Sequence, residues 1–418
     1  VRVPTGAYGG PYTLTVTSGK EKLVYKNILV GEIWLCSGQS NMEMPLEGWR
    51  NPDGSYRYPV NHSEHEISGA NYPDIRLLQL QRKSSQKTED EVSLVGGGWR
   101  PCSPESVRTF PAAAYFFARE VYQRTKVPIG LIASSVGGSI IEAWTSLDSL
   151  VKINEFKEMI DKNQSDAVTN KQSVGGYLFN GMIAPLIPYG IKGALWYQGE
   201  FSVSRAYQYK QLLPMMIRDW RSRWGQGDFP FYFVQLPVNH GSDSIDMASY
   251  WAELREAQLQ TLSVPNTAMA VTIDFIDNDL HPSNKQDIGL RLAWIALNRN
   301  HGMNIPYSGP LYQHYRVEGN KMRIFFSNPE VGLRGRNSNT VTGFYISGDD
   351  KKFYRARVVI DGETIVVESP KVANPVSVRY KWGDNPIGNL FSKWLLPASP
   401  FRTDNWDMLT MPKKVKKE

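Results

Sequence analysis

Two polar residues sit where chemistry can be done: Ser40, in "GEIWLCSGQSNME" (residues 31–43), and His281, in "DFIDNDLHPSNKQ" (residues 274–286). A serine hydroxyl attacks an acyl carbonyl when a base takes its proton and a third group fixes the tautomer of that base. Ser40 follows an apolar run, and Gly38 permits a tight turn before it. Its hydroxyl is therefore expected at a strand-to-helix exit, where helix-start N–H groups meet developing negative charge. The same string also suits an ordinary helix cap, because "GQSN" lacks the fuller G-x-S-x-G elbow. His281 follows a β-like run and precedes a long amphipathic segment, with Asp274, Asp277 and Asp279 shortly before it. One loop can thus supply both a base and its orienter.

Other loops offer hydrogen-bond donors. In "SSVGGSIIEAW" (134–144), Gly137 and Gly138 fall just beyond a strand, where backbone N–H groups can face a ligand unobstructed. In "WYQGE" (196–200), Gln198 can donate its amide to an oxyanion, and Glu200 can hold a basic residue or orient Gln198. A plain turn and surface polarity explain the same strings. Asp274, Asp277, Asp279 and His281 also have the chemistry of a divalent-cation site, but their spacing matches neither an H-E-x-x-H helix nor a calcium loop, so no metal is expected. Turn or surface roles are expected for His62, His65, His301 and His314; His240, after a strand in "LPVNHG", is the strongest exception.

These residues need a scaffold that gathers strand ends. Apolar runs at 128–136, 191–198, 229–236 and 267–275 read as strands of a parallel sheet covered on both faces. Between them, 108–125, 206–225 and 250–263 carry an apolar stripe at helical spacing. Strand then helix, repeated, predicts an α/β sandwich. Alternation in "YTLTVTSG" and "KLVYKNILVGEIWLC" predicts early strands with a turn at Ser18–Gly19, and from Tyr312 to Tyr380 alternating segments with Gly and Asp turns predict a small antiparallel β unit. The expected division is a partial N-terminal β region (1–24), a main α/β unit (25–311), the small β domain (312–380), a return segment packing on the main unit (381–405) and a basic tail (406–418).

The 418 residues can bury a large core, and 41% apolar with 21% charged residues is an ordinary folded composition with no run of bilayer length. The net charge of +6 is half due to the tail "PKKVKKE", which gives no gathered basic face, so a nucleic-acid partner is not expected. Cys36 and Cys102 are expected to be buried thiols rather than a disulfide. Val1 is expected to be a processed or shortened start. The chain is rich in Trp, Tyr and Gly, a vocabulary that suits a protein handling sugars in the periplasm or outside the cell.

The strings "VGEIWLCSGQSNMEMPL", "GGSIIEAW", "ALWYQGE", "IDNDLHPSNKQDIGLRLA", "VRYKWGDNPIGNLF" and "LLPASPFRTD" together resemble the sialate O-acetylesterase family, a branch of the SGNH hydrolases. The resemblance runs over residues 10 to 405. It implies a flavodoxin-like three-layer α/β/α sandwich with an additional small β domain, and removal of acetyl groups from sugar hydroxyls without a cofactor. It places the nucleophile on Ser40 and the base on His281, with an oxyanion hole of the Ser40 and Gly138 N–H groups and Gln198. Asn278 breaks the D-x-x-H pattern; Asp279 fits the D-x-H-P form, with Asp277 in reserve and a Ser–His dyad as the alternative. Phe201 replaces the serine that commonly follows "YQGE", which reshapes one rim of the pocket and widens the substrate question from sialic acid to acetylated xylan. A non-catalytic sugar-binding protein on the same scaffold is the reading of a different class. Trp49, Trp144 and Trp251, with Glu200 and Phe201, are candidates for the substrate rim, while Met42 and Met44 line an acetyl slot or pack beneath the turn. The oligomeric state is not legible.

Overall fold

A computed structural model describes residues 5–157, 171–239, 247–275, 277 and 279–412. Its centre is a seven-stranded mixed sheet in the order Thr267–Ala270, Phe231–Val234, Gly193–Tyr197, Glu32–Gly38, Ile129–Ser135, Tyr72–Leu80 and Leu94–Cys102. Six strands run parallel, and Leu94–Cys102 pairs antiparallel at the edge. The inner strands are buried at every position of Ile129–Ser135, Gly193–Tyr197 and Phe231–Val234. That is why their sequences are unbroken apolar runs: a strand covered on both faces has no solvent side to alternate with.

Two helix pairs pack against the sheet. Ala112–Thr125 meets Lys285–His301 so closely that a Cβ on Gly289 would lie 2.4 Å from the Phe116 Cβ. Ala206–Trp224 packs on Tyr250–Gln260. The expected helix over 108–125 is interrupted, with Pro104–Arg108 ending before Pro111, which takes the N-cap position of the next helix. Proline has no N–H to give an upstream carbonyl, so the break falls there.

The hairpin Gly9–Ser18/Glu21–Val30 turns at Gly19, at φ 59°, as its alternating sequence predicts. Beyond the main sheet, Tyr312–Glu318, Lys321–Phe326, Thr364–Glu368 and Arg357–Asp361 form one four-stranded sheet, and Phe353–Arg355, Phe344–Ser347, Ser377–Tyr380 and Phe401–Arg402 form another. Met322, Ile324, Ile365, Val367, Val378 and Phe401 share a core between them. Residues 381–405 therefore do more than pack on the main unit, since Leu390–Phe391 and Phe401–Arg402 supply strands to the small β unit. Charge-assisted and buried bonds join the two units: Arg402 Nε donates to Glu256 at 2.8 Å, Arg255 Nη1 to the Gly383 carbonyl at 2.7 Å and Lys381 Nζ to the Ile273 carbonyl at 2.9 Å. Cys36 and Cys102 are buried free thiols, and no helix among the described residues is long and apolar enough to cross a membrane.

Candidate active site

The strand Glu32–Gly38 ends at the mouth of the sheet, and the chain turns at once into the short helix Ser40–Glu43. Gly38 makes this turn feasible: its φ is 140°, and a Cβ there would lie 2.1 Å from the Tyr197 carbonyl oxygen of the neighbouring strand. Gln39, not Ser40, holds the N-cap position, so capping does not account for the serine. The Gln39 Oε1 accepts the N–H groups of Gly199 and Phe201, at 3.3 and 3.4 Å, which fastens the Ser40 turn to the adjacent loop.

His281 comes from the loop before helix Lys285–His301, 241 positions away, and its Nε2 lies 2.9 Å from Ser40 Oγ. The ring is boxed by the hairpin Trp49–Arg50/Tyr56–Tyr58: Tyr58 lies 4.3 Å away between ring centroids, and Trp49 meets it edge-on at 5.2 Å. Burial, reinforced by the nearby Lys285 charge, lowers the His281 pKa from 6.5 to about 4, whereas Asp279 opposes the shift. The imidazole is thus neutral at neutral pH and ready to accept a proton.

The Asp279 carboxylate takes the His281 main-chain N–H at 3.0 Å instead of the ring, and Nδ1 has no partner among the described residues. The described contacts are those of a Ser–His pair with a carboxylate alongside. Asp277 accepts the Ser283 N–H and Oγ–H at 2.7 and 2.6 Å. Asp274 is held by both terminal nitrogens of Arg291. Among the described residues no group of three or more His, Cys, Asp and Glu side chains is placed to hold a metal ion.

The second loop at the mouth brings Gly137 and Gly138 to the serine. A Cβ on Gly137 would sit 3.5 Å from the Ser40 Cβ. The Gly137 N–H is spent on Glu43 Oε2 at 2.8 Å, and its carbonyl accepts from Gln172 at 3.0 Å. Gly138, at φ 68°, and Ser40 have N–H groups with no acceptor among the described residues, which leaves both to meet an oxyanion. Gln198 is a correction. It is fully buried, its amide nitrogen donates to the Ser139 carbonyl and Ser202 Oγ, both at 3.1 Å, and its oxygen accepts from Tyr209 at 3.0 Å. Both amide hydrogens are engaged, so Gln198 has none left for an oxyanion.

The rim also needs correcting. Trp144 is wholly buried and donates to Ser139 Oγ, so it does not reach the rim, and Trp251 is largely buried with Arg255 over its ring. Met42 and Met44 are core residues beneath the turn. Glu200 is buried and accepts from Asn41 Nδ2 at 2.5 Å, whereas Phe201 is 53% exposed and Trp49 stands beside His281. His301 is near Glu32 and His314 stacks on Phe325, whereas His62 takes the N-cap position of the short helix Ser63–Ser68 and His65 lies within it. His240, and Asn278 of the broken D-x-x-H pattern, lie outside the described residues. Tyr58, Glu43, Asn41 and Lys285 were not expected at the site. Their partners are far away in sequence, and only the quoted strings around Ser40 and His281 contained Asn41, Glu43 and Lys285.

A serine hydroxyl paired with a neutral imidazole, at a strand end beside two N–H donors, defines an α/β protein with the groups of a serine hydrolase. Residues 30–297 match the family described as carbohydrate esterase, sialic acid-specific acetylesterase, and the chain belongs to it. Human sialate O-acetylesterase is 30% identical over 341 residues, which cover 75% of this chain and 62% of the human protein. The mouse protein of that name is 27% identical, with 94% of this chain and 82% of that one covered. A carbohydrate acetylesterase from Xanthomonas citri is 37% identical in crystal form, with a TM-score of 0.86 over 97% of this chain and 88% of that one. The chain thus spans somewhat under two thirds of the human relative's length.

Proposed function

We propose that this chain is a serine carbohydrate O-acetylesterase that removes acetyl groups from sugar hydroxyls, sialic acid foremost, on a flavodoxin-like SGNH sandwich. The observation that carries the reading is the 2.9 Å contact between Ser40 Oγ and His281 Nε2. With Nε2 as acceptor, His281 takes the hydroxyl proton as Oγ attacks the acetyl carbonyl. The oxyanion forms against the N–H groups of Ser40 and Gly138, and the imidazolium is stabilised by the Asp279 carboxylate beside it. His281 then protonates the leaving sugar oxygen, and water, deprotonated by the same ring, releases acetate from Ser40. No step draws on a cofactor.

An acetyl group is small, so the sugar must supply orientation, and Trp49, Tyr58 and Phe201 are the aromatic surfaces next to the pair. Exposed Phe201 offers a flat apolar face, which favours a second reading, acetylated xylan, on the same machinery. An acetylated glycan as substrate agrees with a periplasmic or extracellular setting. Acetate release from 9-O-acetyl sialosides and from acetylated xylo-oligosaccharides separates the two substrates. Loss of release from both in S40A and H281A is the expected result, and wild-type turnover in either variant would overturn the reading.

A further inference from the structure

Behind the Ser–His pair lies a buried polar chain that the reaction above does not use. Lys285, the first residue of helix Lys285–His301, is fully buried, and its Nζ donates to Asn41 Oδ1 at 2.5 Å. Asn41 follows the nucleophile directly. Its Nδ2 donates both to Glu200 Oε1, at 2.5 Å, and to the carbonyl of Leu280, the residue before His281, at 2.8 Å. One side chain thus ties the nucleophile turn, the loop after Tyr197 and the histidine loop, which come from three separate parts of the chain.

We propose that Lys285, acting through Asn41, is the positioning residue that locks the His281 loop onto the Ser40 turn. The inference rests on the esterase reading and deepens it. A buried ammonium is costly, so a purely structural role would be served as well by an apolar side chain of similar volume. Here the lysine is retained with its Nζ on Asn41, although burial lowers its pKa to about 7; in the acid range, where it is charged, it lowers the His281 pKa.

The groups around the pair fix the sign. His281 is faced by Ser40, by Trp49, Tyr58 and the exposed Arg57 of the hairpin, by Asp279 on its own loop and by Lys285 beneath it. Of these, Lys285 and Arg57 disfavour imidazolium, and Asp279 favours it. Desolvation lowers the Lys285 pKa to about 7 against the opposing charges of Glu200, Asp277 and Asp279, and the Tyr197 ring lies 5.6 Å from its Nζ. Removing the lysine charge therefore raises the His281 pKa and moves the acid limb of kcat/KM toward neutrality.

The test uses the full chain and acetate release from p-nitrophenyl acetate across the acid-to-neutral range. K285Q keeps a donor for Asn41 and loses the charge. Its acid limb should move up by about one pH unit, with kcat at neutral pH within about fivefold of wild type because the lock stays closed. K285M loses both and should show the same shift with a kcat drop of about tenfold or more. N41A keeps the charge and opens the lock, so kcat should fall by a similar factor while the acid limb stays in place. A folded K285Q or K285M with the wild-type acid limb overturns the electrostatic part, and N41A with wild-type kcat overturns the positional part. If neither lysine variant folds, N41A decides the lock. Inactive wild-type enzyme would instead count against the esterase reading itself.

Discussion

The Gly38→Ala substitution probes how tightly the fold fixes the nucleophile. A Cβ at this position would lie 2.1 Å from the Tyr197 carbonyl oxygen and 2.7 Å from its carbon. Ordinary van der Waals contact begins near 3.4 Å, so strand end or neighbour must retreat by about 1.3 Å, and backbone on both sides leaves no flexible side chain to absorb it. The φ of 140° adds a conformational penalty of about 1–3 kcal/mol for any residue with a Cβ. Ser40 lies two residues on, and Gln39 N–H is bonded to the same Tyr197 carbonyl at 3.0 Å, so the displacement passes directly to the hydroxyl. A shift of about 1 Å at a reacting group costs about 100-fold in rate. G38A should therefore melt several degrees lower and lose about 100-fold in kcat, measured by thermal unfolding and by p-nitrophenyl acetate hydrolysis on the same preparation. A variant with wild-type kcat and wild-type melting temperature would show that the turn is not held as described.

Asp279→Asn should leave the main-chain bond to His281 in place, because an amide oxygen still accepts it, but removes the charge that favours imidazolium. The His281 pKa then falls further below about 4, so the acid limb of kcat/KM moves to lower pH while the plateau drops; an acid limb displaced toward neutrality would contradict the sign. Gln198→Ala strips partners from the Ser139 carbonyl, Ser202 and Tyr209 inside the core, and should cost about 1–3 kcal/mol of stability in denaturant melts. Its kcat loss should stay well below the 100-fold or more expected of an oxyanion donor.

The parallel sheet was legible because its inner strands are covered on both faces, which leaves unbroken apolar runs at Ile129–Ser135, Gly193–Tyr197 and Phe231–Val234. Tyr72–Leu80 and Leu94–Cys102 were not. Pro73, Asp74 and Arg76 in one, and Gly96, Gly97 and Gly98 in the other, read locally as loop, and only pairing at the sheet edge makes them strands. At the site, residue type and strand-end placement pointed to Ser40 and His281, since attack and proton transfer need those groups at loop mouths. Side-chain direction was beyond reach. Gln198 and Trp144 follow strands just as site residues do, yet both turn into the core, while Tyr58 reaches His281 from a two-strand hairpin with no periodic signal. Lys285 looked like one more charge at a helix start, because a sequence does not display the Asn41 it meets 244 positions away.

The most direct measurement is covalent labelling by a fluorophosphonate followed by peptide mass spectrometry on the intact chain. A hydroxyl made nucleophilic by an imidazole at 2.9 Å predicts a single adduct on the peptide carrying Ser40, and none in H281A under the same conditions. Acetate release that continues at its full rate while Ser40 stays unlabelled, or labelling that survives in H281A, would contradict the account.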